Sequence, residues 1–164
     1  MYLLFNNYKN VFRYSFISIF LIAVQFYTPM IKTSGNFSLY VDLLLIYLTY
    51  LALNKELYLV IIFSFFIGLF QDFIIQSDTV GLYAFLKILS VYFISYIKKV
   101  NSLWNMTFKF LYLFFVYFFH YYIYHFVFIN EMTWYLTGCV FIESFLNLFL
   151  FFLISKIINQ SSII

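Results

Sequence analysis

Six long apolar runs, separated by only a few polar residues each, constrain this chain more than any other feature. They fall at about 11–28, 39–53, 57–75, 79–97, 103–129 and 132–156 and take up most of the 164 residues. A continuous apolar stretch of about 18 residues or more reads as a membrane-spanning helix, because only a helix satisfies its own backbone in lipid. The second run is short for a span and needs its neighbours or a thinned bilayer to accommodate it. None of the runs alternates with period two, which argues against a membrane β-barrel. Only 9% of the residues are charged, against about 25% in an average soluble domain, so the chain has too few charges to cover a water-facing surface. The fold class expected is an all-α integral membrane protein, with residues 1–164 forming one multi-pass domain of six transmembrane helices.

The connections carry the breakers and polar residues: Pro29 to Ser38, Asn54-Lys55-Glu56, Gln76-Ser77-Asp78, Lys98 to Ser102 and Asn130-Glu131. The first run follows Lys9 and Arg13, as the apolar part of a signal peptide does, yet it ends in Gln-Phe-Tyr-Thr-Pro without a small-residue cleavage pattern. It reads as a retained first helix. Orientation follows from the basic residues flanking the spans. With the N-terminus in the cytoplasm, Lys9, Arg13, Lys55, Lys98, Lys99 and Lys156 fall inside and Lys32 outside, while Asp42, Asp72, Asp78 and Glu131 lie toward the outer side. Both termini are therefore expected to be cytoplasmic.

Ionisable residues within such runs need a reason, since a Lys or Asp at the centre of a membrane helix costs about 2.5–3.5 kcal/mol on insertion scales. At 1.5 Å per residue, Lys87 lies roughly 12 Å deep in its run, Glu143 about 16 Å and His120 about 14 Å. Their matching depth predicts a Lys87–Glu143 ion pair, or a small network with His120, inside the bundle. Cys139, Glu143 and Asn147 share one face of the last helix, and Tyr117, His120, Tyr121 and Tyr124 form a stripe on the fifth. Such a layer serves either as packing between helices or as an ion or proton pathway. A metal site has little support, because His120 and His125 stand about 140° apart around a helix and the single cysteine, Cys139, has no partner for a thiolate site. Asp42 and Asp72, each near the outer end of its run, raise the thought of an intramembrane aspartyl catalyst, but no catalytic motif surrounds them. Nucleophile elbows and phosphate-cradling glycine loops are also missing from the sequence. No catalytic residue, cofactor or nucleic-acid partner is indicated, and the aromatic residues belong with the membrane.

The most informative segment is Phe66 to Tyr96. Ser64, Gly68 and Asp72 are spaced four apart on one face of the third helix, and Gly81 with Ala84 offers a smooth patch at the start of the fourth. Small residues at this spacing let two backbones approach closely, so the two helices read as a tight hairpin with a short outer turn.

This segment resembles the rod shape-determining protein MreD family. That family carries Gly-x-x-x-Asp at a helix end, a Ser-rich turn, then Gly with a small residue soon after; Gly68, Asp72, Ser77, Gly81 and Ala84 stand at those positions. Asp42-Leu43-Leu44-Leu45-Ile46 is similar to the family's Pro-Asp-Leu-Leu-Leu run, with Val41 in place of the proline, and Asn147 matches a family Asn without the proline that accompanies it. The specific matches are confined to about 42–96. The resemblance implies a non-enzymatic, multi-pass scaffold of the bacterial cytoplasmic membrane. Its partner would be an MreC-like bitopic protein, and through it MreB, RodA and a penicillin-binding transpeptidase. It also implies rim contacts for Asp42 and Asp72 and close helix approach for Gly68 and Gly81, unless these residues only pack the protein's own helices. Membrane lipids and a second copy of the chain are further partners that such helix faces admit. A different class of function fits the same layout: the solute-binding membrane subunit of an energy-coupling-factor transporter, with a pocket near the outer face lined by the outer acids, His125 and tyrosines. A membrane enzyme built on Asp42 or Asp72 is the third reading.

Overall fold

Each apolar run becomes a helix in the computed structural model, which describes residues 2–27, 31–32, 38–75, 80–129 and 133–157. The helices are α1 (Tyr2–Tyr27), α2 (Leu43–Asn54), α3 (Leu57–Ile75), α4 (Leu82–Val100), α5 (Met106–Ile129) and α6 (Trp134–Ile157). Between α1 and α2 the short strands β1 (Ile31–Lys32) and β2 (Ser38–Leu39) pair antiparallel, Ile31 opposite Leu39 and Lys32 opposite Ser38. Pro29, the Gln76-Ser77-Asp78 turn and Asn130-Glu131 lie outside the described residues.

The helix ends show where hydropathy and backbone part company. The helix α1 begins well before its apolar run, since no Gly or Pro interrupts Tyr2–Tyr27. By contrast, α4 starts three residues later than the run, after Gly81 turns the chain with φ +104°, a conformation glycine adopts without strain. Its last turn carries Lys98 and Lys99, which suit the negative end of the helix dipole. The helix α2 also starts late, at Leu43, and is only 12 residues long.

Among the described residues, three helices are long and apolar enough to cross a membrane: Leu57–Ile74 in α3, Met106–Val127 in α5 and Trp134–Ile157 in α6. The chain is a membrane protein. Shorter apolar stretches are Phe12–Gln25 and Leu43–Asn54, and α4 contains Lys87, Lys98 and Lys99.

The short α2 occupies the middle of the bundle, against α1, α3, α4 and α6. Leucines and isoleucine cover its whole circumference and most of its residues are buried, as a helix apolar on all sides requires. The most extensive packing joins α3 to α4; α5 pairs with α6, and α4 also packs on α2 and α5. The surface is inverted relative to a soluble protein. Phe16, Phe66, Phe70, Phe119 and Phe145 are exposed, whereas Asp42, Asp72, Lys87 and Glu143 are buried. Water would penalise so much exposed aromatic surface; lipid tails do not.

Candidate functional site

Residues Tyr40–Asp42 run without helix or strand into the centre of the bundle, so their backbone groups need partners from elsewhere. Polar side chains of α6 supply them. The Asp42 N–H donates to Asn147 Oδ1 at 2.8 Å, and Asn147 Nδ2 donates to the Tyr40 carbonyl at 3.2 Å and to the Glu143 carbonyl at 3.0 Å. The Tyr40 N–H reaches Glu143 Oε1 at 3.5 Å. From α1, Gln25 accepts the Leu44 N–H at 3.2 Å and donates to Asp42 Oδ1 at 3.3 Å. Asp42 itself caps α2, its Oδ1 accepting the Leu45 N–H at 2.9 Å, as N-cap aspartates do.

The other oxygen of Asp42 meets Lys87 Nζ at 2.7 Å, and both side chains are completely buried. Glu143 is paired separately, Oε2 lying 2.9 Å from Nε2 of His125. The Lys87–Glu143 pair expected from depth is therefore corrected: each charge has another partner. His120 does not join either pair by a hydrogen bond; its Nδ1 meets Ser90 Oγ at 3.0 Å on α4. Depth along a run was a sound guide to burial, since Lys87, His120 and Glu143 are all nearly inaccessible. It failed on pairing because the late start of α2 draws Asp42 from the expected rim into the interior, beside Lys87. The inward stripe on α5 is as expected: Tyr117, Tyr121 and Tyr124 are buried with His120. Tyr117 reaches Thr49 of α2 at 2.8 Å, and Tyr40 reaches the Tyr83 hydroxyl at 2.9 Å.

A second cluster joins α3 to α4. Asp72 is fully buried, and its carboxylate accepts the N–H groups of Gly81 at 2.9 Å, Tyr83 at 2.9 Å and Ala84 at 3.2 Å. It thus caps α4 from a neighbouring helix, satisfying donors that a helix start leaves open. One turn back, Gly68 lies against the α4 backbone; a Cβ there would sit 2.6 Å from the Ala84 nitrogen and 2.9 Å from the Tyr83 carbonyl carbon. Ser64, on the same face, is also buried. The hairpin read from the sequence is present, but rim contact by Asp42 and Asp72 is not: both carboxylates are turned inward and engaged. Each also caps a different helix, so they do not form an aspartyl dyad sharing one proton.

Sequence reasoning missed Gln25, Tyr40 and the role of His125 as the Glu143 partner. Gln25 was visible as a lone amide in an apolar run, and Asn147 and Glu143 were visible as an i, i+4 pair. Nothing local signalled that the segment before α2 would need them. Chemically, the arrangement pairs Asp42 with a cation, gives Glu143 a hydrogen-bond partner in His125, and ties the broken start of α2 to α1, α4 and α6. No family model, curated protein or solved structure matches the chain.

Proposed function

We propose that this chain is a non-enzymatic scaffold of the MreD type, crossing the bacterial cytoplasmic membrane six times with both termini inside. It recruits an MreC-like bitopic protein and, through it, MreB, RodA and a penicillin-binding transpeptidase, so biasing wall synthesis toward elongation. The observation that carries this reading is the unity of the α3–α4 hairpin. Of the residues on which the resemblance rests, Gly68 lies against Ala84, and Asp72 accepts the N–H groups of Gly81 and Ala84. A spacing shared by chance would have no reason to build one physical unit.

The geometry before α2 supports six spans. Twelve helical residues cover about 18 Å, and the extended stretch Leu39–Asp42 adds about 13 Å. Their sum matches a hydrocarbon core about 30 Å thick. A broken span of this kind is tolerated where side chains meet the freed backbone groups, as Asn147 and Gln25 do here. The engagement of Asp42, Asp72, Lys87 and Glu143 within the bundle also supports a scaffold, because it leaves the outward apolar faces as the means of contact with partners.

Co-purification with the MreC-like protein of the same organism, in mild detergent, tests the proposal. A stable complex with monodisperse wild type is the expected result. Because Asp72 and Gly68 hold the fold, interface mapping belongs to the exposed Phe66 and Phe70; Phe66→Ala/Phe70→Ala should weaken capture without lowering thermal stability. Failure of well-folded wild type to form any complex overturns the scaffold reading, and saturable binding of a small solute would put a transporter subunit in its place.

A further inference from the structure

A groove of about 500 Å³ lies between α1, α2 and α6. Ile17 and Leu21 form one wall, Phe151 and Ile154 the other, and Leu43 and Ile46 of α2 the floor. Along α2 the floor extends from Leu43 to Lys55, about 18 Å at helical rise, close to the depth of one leaflet. The far end is polar and basic. Arg13 and Lys55 both line it, together with Tyr14, Tyr47 and Tyr50. Lys55 Nζ lies 5.4 Å from the Tyr14 ring centroid, a cation–π distance that holds the ammonium at the groove.

The ion pairs among the described residues are Lys87–Asp42 and His125–Glu143, so no described acid forms an ion pair with either groove cation. Glu56, next in sequence, is hydrogen-bonded to Tyr58. Two cations at the mouth of an apolar slot, on a protein that sits in lipid, match one ligand chemistry: a phosphodiester joined to an acyl chain. Charge placement agrees, because the basic end is the one assigned to the cytoplasm, where the leaflet carries anionic lipids.

We propose that this groove is a binding site for an anionic phospholipid, with one acyl chain lying along α2 and the headgroup phosphate on Arg13 and Lys55. The lipid bridges α1 to α6 and so fixes the edge helix against the bundle. Such a site operates whether or not the chain recruits an MreC-like partner.

The test uses the full-length protein in neutral detergent, titrated with phosphatidylglycerol or with phosphatidylcholine of matched chains, read by native mass spectrometry and thermal unfolding. Phosphatidylglycerol at a hundredfold excess over its Kd should raise Tm by about 5 °C or more, and phosphatidylcholine should do clearly less. Arg13→Gln/Lys55→Gln should weaken phosphatidylglycerol binding at least about tenfold, while Lys99→Gln, a control away from the groove, should leave it unchanged. Ile17→Trp, which fills the slot and keeps both cations, should reduce occupancy as well. Glycerol 3-phosphate alone should not shift Tm. Equal effects of the two lipids overturn the proposal, as does wild-type binding by the double or groove-filling variant, or a full effect from the soluble headgroup.

Discussion

Single residues here carry unusually large consequences, because Asp42 and Lys87 are buried as an ion pair. Removing one member of a buried ion pair strands the other, at a cost of about 3–5 kcal/mol. Lys87→Met should therefore destabilise the protein by about that amount in denaturant titration in detergent. The double variant Asp42→Asn/Lys87→Met should recover most of the loss, since an asparagine still caps α2. A cycle on Lys87 and Glu143 should instead be close to additive, because these two have separate partners. Gly81→Ala isolates a backbone effect. Among the described residues no atom beyond the chain neighbours lies within 4 Å of the added methyl, but φ is +104°, so a loss of about 1–2 kcal/mol is expected, measured as a lower unfolding midpoint. The buried status of Lys87, His120 and Glu143 was legible from sequence, since nothing else explains a charge deep in an apolar run. Their partners were not legible, because pairing depends on the angle of each helix as well as on depth.

At the scale of elements, the α3–α4 hairpin and the start of α2 show opposite degrees of legibility. The hairpin could be read from Ser64, Gly68 and Asp72 at spacing four, followed by Gly81 and Ala84, because close helix packing leaves a local mark in small residues. Gly68→Leu should force α3 and α4 apart, since even a Cβ collides with Ala84. A loss of about 1–3 kcal/mol or more is expected for overpacking of this kind, together with faster amide exchange at the Tyr83 and Ala84 N–H groups that Asp72 holds. The broken start of α2 left no comparable mark, because its partners on α6, Glu143 and Asn147, lie more than a hundred residues away in sequence. Asn147→Leu should leave the Asp42 N–H and the Tyr40 carbonyl without their side-chain partner. Each stranded group costs about 1–3 kcal/mol, and hydrogen exchange over residues 40–45 should rise while α3 and α4 stay protected.

For the whole molecule, the decisive property is the inversion of polarity, with aromatic side chains outside and ion pairs inside. It makes the unfolding of one helix expensive for its neighbours, since α2 ties α1, α4 and α6 through Gln25, Asp42 and Asn147. Six spans with cytoplasmic termini can be checked by cysteine labelling in a Cys139→Ala background. Ser102→Cys, in the exposed α4–α5 connection, should resist a membrane-impermeant maleimide in intact spheroplasts. Thr133→Cys, exposed before α6, should react. The reverse pattern would turn the molecule over in the membrane and place the groove of Arg13 and Lys55 in the outer leaflet.

The solvent this chain folds in, its six helical runs and the face on which α3 meets α4 were all legible in the order of residues. These follow from quantities that sum along the chain: run length, charge frequency and the spacing of small residues. The assembled bundle settled which acid meets which base, that the second apolar run opens with a short non-helical stretch before the twelve-residue α2, and that Asp72 caps α4 instead of standing at the rim. Those outcomes depend on where helices distant in sequence stand around α2, and on buried backbone groups taking whichever polar side chain lies within about 3 Å. The physical reason is the range of the interactions. Transfer into lipid acts on each residue wherever it stands, whereas a hydrogen bond or an ion pair exists only between atoms that the assembled bundle has brought together.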